Sequence, residues 1–153
     1  MGQDWNRDNV RNFAEVFTPA SMVFQMILVP DVRDMLTNAA QKMFEGCCGQ
    51  GQFAVSVLVW KQFYNLGELT EEKVLEALNA LYGIDIQQES IDECRVHMLA
   101  AVCSAYEFFT GQKFSRTAEV AMIIEKHFVQ GDLLPAEEKP KKRKRDDVQL
   151  SLF

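Results

Sequence analysis

The sequence predicts an α/β fold in which a parallel sheet is flanked by helices, and three observations carry that expectation. Short apolar runs at 42–46, 81–86 and 127–132 read as strands. Longer segments with apolar residues at helical spacing separate them. Each run ends close to a glycine or an acidic residue, a turn signal. Strands alternating with helices imply βαβ units, and the crossover in such a unit makes its strands parallel.

Taken in order, "NRDNVRNFAEVF", residues 6 to 17, spaces Val10, Phe13, Ala14 and Phe17 at helical intervals. "TPASMVFQMI" follows, with Thr18 expected as N-cap and Pro19 at the first helical position, where its fixed φ suits a helix. After Pro30 comes a polar helix or loop, then "KMFEG", the first strand. The next helix, "GQFAVSVLVWKQFYN", places Phe53, Val57, Trp60, Lys61 and Tyr64 on one side. It is apolar nearly all round, as a helix covered on several faces should be. "TEEKVLEALNA", residues 70 to 80, is a helix capped by Thr70, with Lys73 where a capping box would carry Glu or Gln. "LYGIDI" is a buried strand, 89–109 a long helix ended by Gly111, and 118–126 a shorter helix leading into "HFVQGD". Past Pro135 the composition turns to charge, "PAEEKPKKRKRDD", which reads as a solvated, disordered linker. The expected organisation is one domain over 1–134, a charged linker over 135–148 and a short peptide over 149–153.

The 153 residues, 48% hydrophobic and 25% charged, fit one soluble domain with a single core. "SMVFQMILV" is too short to cross a membrane, and no stretch resembles a cleaved signal peptide, so a cytoplasmic setting is expected. Cys47, Cys48, Cys94 and Cys103 show no CxxC spacing, and only His97 and His127 could assist them; reduced thiols and no metal are expected. The net charge of −6 divides into −8 up to Ala136 and +2 over the last 17 residues. An acidic body does not attract nucleic acid phosphates broadly, so any DNA contact is expected to be local, tail-driven or partner-mediated.

"FEGCCGQGQF", residues 44 to 53, is a glycine turn between a strand and a helix. Such a turn sets backbone N–H groups and the positive end of a helix beside a polar ligand, and Gly49 and Gly51 permit a close backbone approach. It serves equally as a tight corner of an α/β fold. Asp85 stands at the end of the second strand, where doubly wound folds place an acceptor for ribose hydroxyls, and Asp132 ends the third. Each Asp alone is as readily a cap or turn residue.

"EVFTPASMV", "MFEGCCGQGQF", "LYGIDIQQESIDECR" and "FVQGDLL", in that order, resemble the first part of adenine-N6 DNA methyltransferases of the class I fold, most closely the small phage- and plasmid-type members. The likeness spans about residues 13 to 134 and implies a partial Rossmann-like sheet with N-terminal helices that binds S-adenosylmethionine. By that resemblance Phe17, Thr18 and Pro19 lie against the methionine part of the cofactor. Glu45, Cys48, Gly49, Gly51 and Phe53 wrap it, Asp85 grips the ribose, and Asp132 lies by the adenine. Gly46 stands where the family usually has proline. The family also carries an Asn/Asp-Pro-Pro-Tyr/Phe segment that holds the flipped base. Here the prolines are Pro19, Pro30, Pro135 and Pro140, none adjacent, so no catalytic residue is assigned. The strand at 42–46 is expected to be a sheet edge covered by the N-terminal helices, by a second copy or by a partner subunit that completes the sheet.

The end of the sequence resembles a bacterial sliding-clamp binding peptide. In "QLSLF", Leu150, Leu152 and Phe153 would fill an apolar pocket and Gln149 would anchor the backbone, a groove-binding mode of short motifs. The alternative is that these residues dock back on the chain's own body. The basic run Lys141, Lys142, Arg143, Lys144 and Arg145 reads as a DNA-phosphate patch, a solubilising linker or a nuclear import signal, in that order of preference. Two functions are expected from these features. One is a methyltransferase-like protein at replicating DNA in a bacterial or phage-infected cell. The other is a non-catalytic, cofactor-binding adaptor that regulates replication or counters restriction and methylation.

Overall fold

The computed structural model describes residues 18–133. Among them are six α-helices, one 3₁₀ turn at Leu66–Glu68 and three short strands. Helices α1 (Ala20–Ile27) and α2 (Pro30–Thr37) precede β1 (Met43–Glu45). Helices α3 (Gln52–Tyr64) and α4 (Glu71–Asn79) lead to β2 (Leu81–Asp85). Helices α5 (Gln88–Thr110) and α6 (Thr117–His127) lead to β3 (Phe128–Gln130). The three strands form one parallel sheet in the order β1-β2-β3, with Met43 opposite Leu81 and Gly83 opposite Phe128.

Local chemistry explains most of the element ends. Thr70 accepts from the Lys73 N–H, a cap that contributes about 1 kcal/mol. Gly111 ends α5 in the left-handed conformation (φ 69°), which glycine adopts without a Cβ penalty. At α1 the expectation is off by one residue: Pro19 is the N-cap, its carbonyl accepting from Met22 and Val23, and no side chain caps the helix. Thr18 therefore precedes the cap. β3 is shorter than its apolar run, because His127 still belongs to α6 and its ring takes the Leu81 carbonyl as partner at 3.1 Å. β2 likewise stops at Asp85 and leaves Ile86 exposed.

The core lies between one face of the sheet and the helices. Met43, Leu81 and Phe128 point to that face and meet Val57, Leu58, Ile91, Met98 and Val102 from α3 and α5. Gly83 sits directly opposite Phe128 in the sheet, and a Cβ on it would collide with the Phe128 ring. Helices α3 and α5 pack on each other, while α1 and α2 pack against α3. The buried stripe of α3 runs through Ala54, Val57, Leu58, Lys61 and Gln62, leaving Phe53, Trp60 and Tyr64 half-buried. The expected stripe was thus right at Val57 and Lys61 and turned slightly too far toward the aromatics.

Lys61 is 1% exposed. Its Nζ donates to the carbonyls of Asn38, Ala39 and Gln41 at 3.2, 2.8 and 2.7 Å, fastening the loop that delivers β1. Burial lowers its pKa to about 8, with Glu76 opposing the shift.

The expectation that N-terminal helices cover the β1 edge does not hold for α1 and α2, which lie on α3. The segment 6–17 expected as a helix, Phe17 included, lies outside the described residues, as do the linker beyond residue 134, the basic run 141–145 and the peptide 149–153. Among the described residues no helix is long and apolar enough to cross a membrane.

Candidate functional site

Parallel strands bring their carboxyl ends to one side of a sheet, and ligands of open α/β sheets bind in the crevice there. In this molecule three hydrogen-bonded ties draw those ends together. Cys48 donates its N–H to the Ile84 carbonyl at 3.0 Å, and Gly131 donates to the Asp85 carbonyl at 2.8 Å. The Asp85 side chain makes the third: Oδ2 accepts from the Gly49 N–H at 2.9 Å, while Oδ1 accepts from Gln87 at 2.9 Å. Asp85 is therefore the hub joining the glycine turn after β1 to the end of β2 and the start of α5.

Each oxygen of Asp85 takes one backbone N–H. A carboxylate oxygen has two lone-pair directions, so the group can still accept from hydroxyls presented by a ligand. It is half-buried, which leaves it reachable from the crevice.

Gly49 (φ 51°) and Gly51 (φ 88°) both occupy the left-handed region. A Cβ on Gly49 would meet no atom within 4 Å, so its backbone faces open space. A Cβ on Gly51 would lie 2.7 Å from the Cys94 sulfur. Gly51 is thus required for packing of the turn on α5, and Gly49 for the shape of the turn itself. Gly51 is also the N-cap of α3, whose ladder begins with Val55 donating to the Gly51 carbonyl at 2.8 Å. The N–H groups of Gln52 and Phe53 precede that ladder, giving the crevice the positive end of a helix.

Glu45, at the end of β1, accepts from the Ala54 N–H in the first turn of α3. Burial raises its pKa to about 7; the Ala54 bond counteracts this and the nearby charge of Asp85 adds to it. Its Oε2 is buried without a hydrogen-bond partner among the described residues. Glu45 and half-buried Phe53 also line a small hollow between β1 and α3.

Cys48 is buried, and its thiol hydrogen-bonds with Cys94, which together with burial raises its pKa. It remains a protonated packing residue, so only its backbone is available to a ligand. Thr18 and Pro19 stand at the head of α1, on the helix that packs against α3. Asp132 follows Gly131 beyond β3 and is exposed.

The structure thus joins Glu45, Cys48, Gly49, Gly51 and Asp85 around one turn. Two residues that hold the turn from behind were not singled out from the sequence. Cys94 packs on Gly51, and the His97 ring bonds the Gln50 carbonyl through Nδ1 at 2.8 Å. Their spacing of three on α5 places both on one helical face, and that is the signal that could have found them. No protein-family model, curated protein or solved structure matches the chain.

Proposed function

We propose that this protein is an S-adenosylmethionine-binding, adenine-N6 DNA methyltransferase-like protein, built on a partial Rossmann-like sheet and recruited to replicating DNA through a sliding-clamp peptide. The observation that carries the proposal is the Asp85 hub. A carboxylate at the end of β2, bonded to the amide of a glycine turn that opens a helix, fits the adenosyl part of such a cofactor. In this reading Asp85 accepts from the ribose hydroxyls, Gly49 and Gly51 let the chain pass close to the ligand, and Asp132 lies toward the adenine. Glu45 holds the first turn of α3 in place. The bound cofactor would supply an electrophilic methyl group.

The sequence holds no adjacent prolines, so the segment expected to grip a flipped base is not among these 153 residues. Methyl transfer to DNA then requires a base-holding segment from outside these residues. The adaptor reading needs none. A thermal shift series with S-adenosylmethionine beside ATP, NAD and FAD tests the shared premise: stabilisation by S-adenosylmethionine above the others is expected, and no shift overturns it. Transfer of tritiated methyl from the cofactor to DNA then separates the readings. Label in DNA supports the methyltransferase, whereas cofactor binding without label supports the adaptor.

A further inference from the structure

Parallel sheets are normally buried on both faces. Met43, Leu81 and Phe128 turn to the core, so the alternate residues of each strand turn to the opposite face. There Phe44 pairs in register with Tyr82, and Ile84 with Val129. Phe44 is 61% exposed and Val129 40%. Together with Lys42, Lys126 and His127 they line a shallow hollow of about 380 Å³.

The hollow has an aromatic floor between two cations. Lys42 directly precedes β1 and Lys126 stands two residues ahead of β3, so they flank the floor on both sides. Both are exposed, and no Asp or Glu lines the space. That sign runs against the chain, which carries −8 up to Ala136, so attraction for an anion is local to this face. The Tyr82 ring is held in place: it stacks on His127 with centroids 4.3 Å apart, and the His127 ring bonds the Leu81 carbonyl at 3.1 Å. One face of Tyr82 is thereby taken, which leaves Phe44 as the main free ring.

We propose that this face is a platform for single-stranded nucleic acid, in which a base lies on Phe44 beside Tyr82 and the phosphates flanking it pair with Lys42 and Lys126. Three features select this occupant. The bases of a single strand present bare π-faces, and stacking them on aromatic side chains of a sheet is a general way of holding them. Lysines on both flanks match a backbone that carries a charge at every nucleotide. A hollow of about 380 Å³ has the size of a site for a small flat group. A duplex fits less well, because its bases are stacked on one another and offer only their edges. A partner helix would bring an apolar stripe with no use for the two cations.

The platform does not rest on the cofactor reading. It uses side chains on the face away from the core, whereas the Asp85 crevice lies at the carboxyl ends of the strands, and the two share no residue. It is separate also from the basic run 141–145, whose pull on phosphates has to be removed before the platform can be measured.

The test uses the full chain with Lys141, Lys142, Arg143, Lys144 and Arg145 all replaced by Gln, and no cofactor. Fluorescence anisotropy with labelled oligonucleotides of about twelve nucleotides should show binding of dT or rU single strands well above the matching duplex. The two sugars then report which backbone is preferred. Phe44→Ala should weaken binding about five- to hundredfold, and Phe44→Leu, which keeps apolar area without a ring, nearly as much. Lys42→Gln with Lys126→Gln should lower the slope of log affinity against log salt by about 1.4. A strand carrying 5-iodouracil should photo-cross-link to Phe44 or Tyr82, as mapped by mass spectrometry. No binding, equal binding of duplex, or unchanged affinity in Phe44→Leu would each overturn the proposal. Self-association that Phe44→Ala abolishes, with no strand bound, would assign the face to a second copy instead.

Discussion

At the scale of single residues, the two glycines of the turn make different demands. Gly51→Ala meets both a left-handed backbone and the Cys94 sulfur, and should cost about 2–4 kcal/mol. Gly49→Ala meets only the backbone term, about 1–2 kcal/mol. Denaturant titration should rank them in that order, and adding Cys94→Ala should recover part of the loss at Gly51 alone. Equal costs would mean that the turn does not press on α5. Gln62 is a second residue-scale case. It is 1% exposed, and both its side-chain nitrogen and oxygen are buried without partners among the described residues. Gln62→Met keeps the shape and removes the unsatisfied amide, so a gain of about 1–2 kcal/mol is expected by chemical unfolding. A loss would indicate that the amide has a partner.

At the scale of elements, Asp85 and Lys61 act as fasteners between segments distant in sequence. Asp85→Ala leaves the amides of Gly49 and Gln87 without acceptors and should lower stability by about 1–3 kcal/mol. Asp85→Asn keeps a carbonyl oxygen for one of them and should lose less. That makes the Asn variant the cleaner probe of the proposed site: by calorimetry its S-adenosylmethionine affinity should fall by about 1.5–3 kcal/mol. Unchanged affinity in the folded variant removes Asp85 from the ligand's surroundings. Lys61→Met preserves the packed stem but strips three carbonyls of their donor, with an expected cost of about 1–3 kcal/mol. Hydrogen exchange should then rise first in β1 and the loop before it, since that loop hangs on the ammonium. A uniform rise across the sheet would refute its role as a local fastener.

For the whole molecule, half-buried Glu45 and buried Lys61, of opposite sign, shape stability against pH. The Glu45 pKa is raised from 4.5 to about 7 in the folded state, so its favourable contribution is full below about 4.5 and is lost as pH rises toward 7. The Lys61 pKa is lowered from 10.5 to about 8, so stability recovers as pH rises from about 8 toward 10.5. The two limbs leave a trough between about pH 7 and 8. The acid limb should amount to about 3 kcal/mol at most, and Glu45→Gln should flatten it without altering the alkaline one. Thermal melts from pH 4.5 to 10 would show this, and an unchanged acid limb in the variant would shift the effect to another group.

Spacing and turn chemistry alone determined the order of helices and strands, the Thr70 cap, the Gly111 stop, the parallel sheet and the glycine turn with Asp85 as its neighbour. These follow from local rules: helical and strand periods repeat every few residues, and a cap acts within one turn. The sequence also placed Lys61 on the covered side of its helix, without indicating that its ammonium would be buried against three carbonyls. The tertiary structure decided what depends on residues far apart in the chain. It set Cys94 beneath Gly51 and His97 behind Gln50, occupied Asp85 with backbone amides, moved α1 and α2 onto α3, and left Phe44 and Val129 exposed among the described residues. No periodicity encodes these outcomes, because burial, edge exposure and the partners of a side chain are fixed only when separate elements pack against one another.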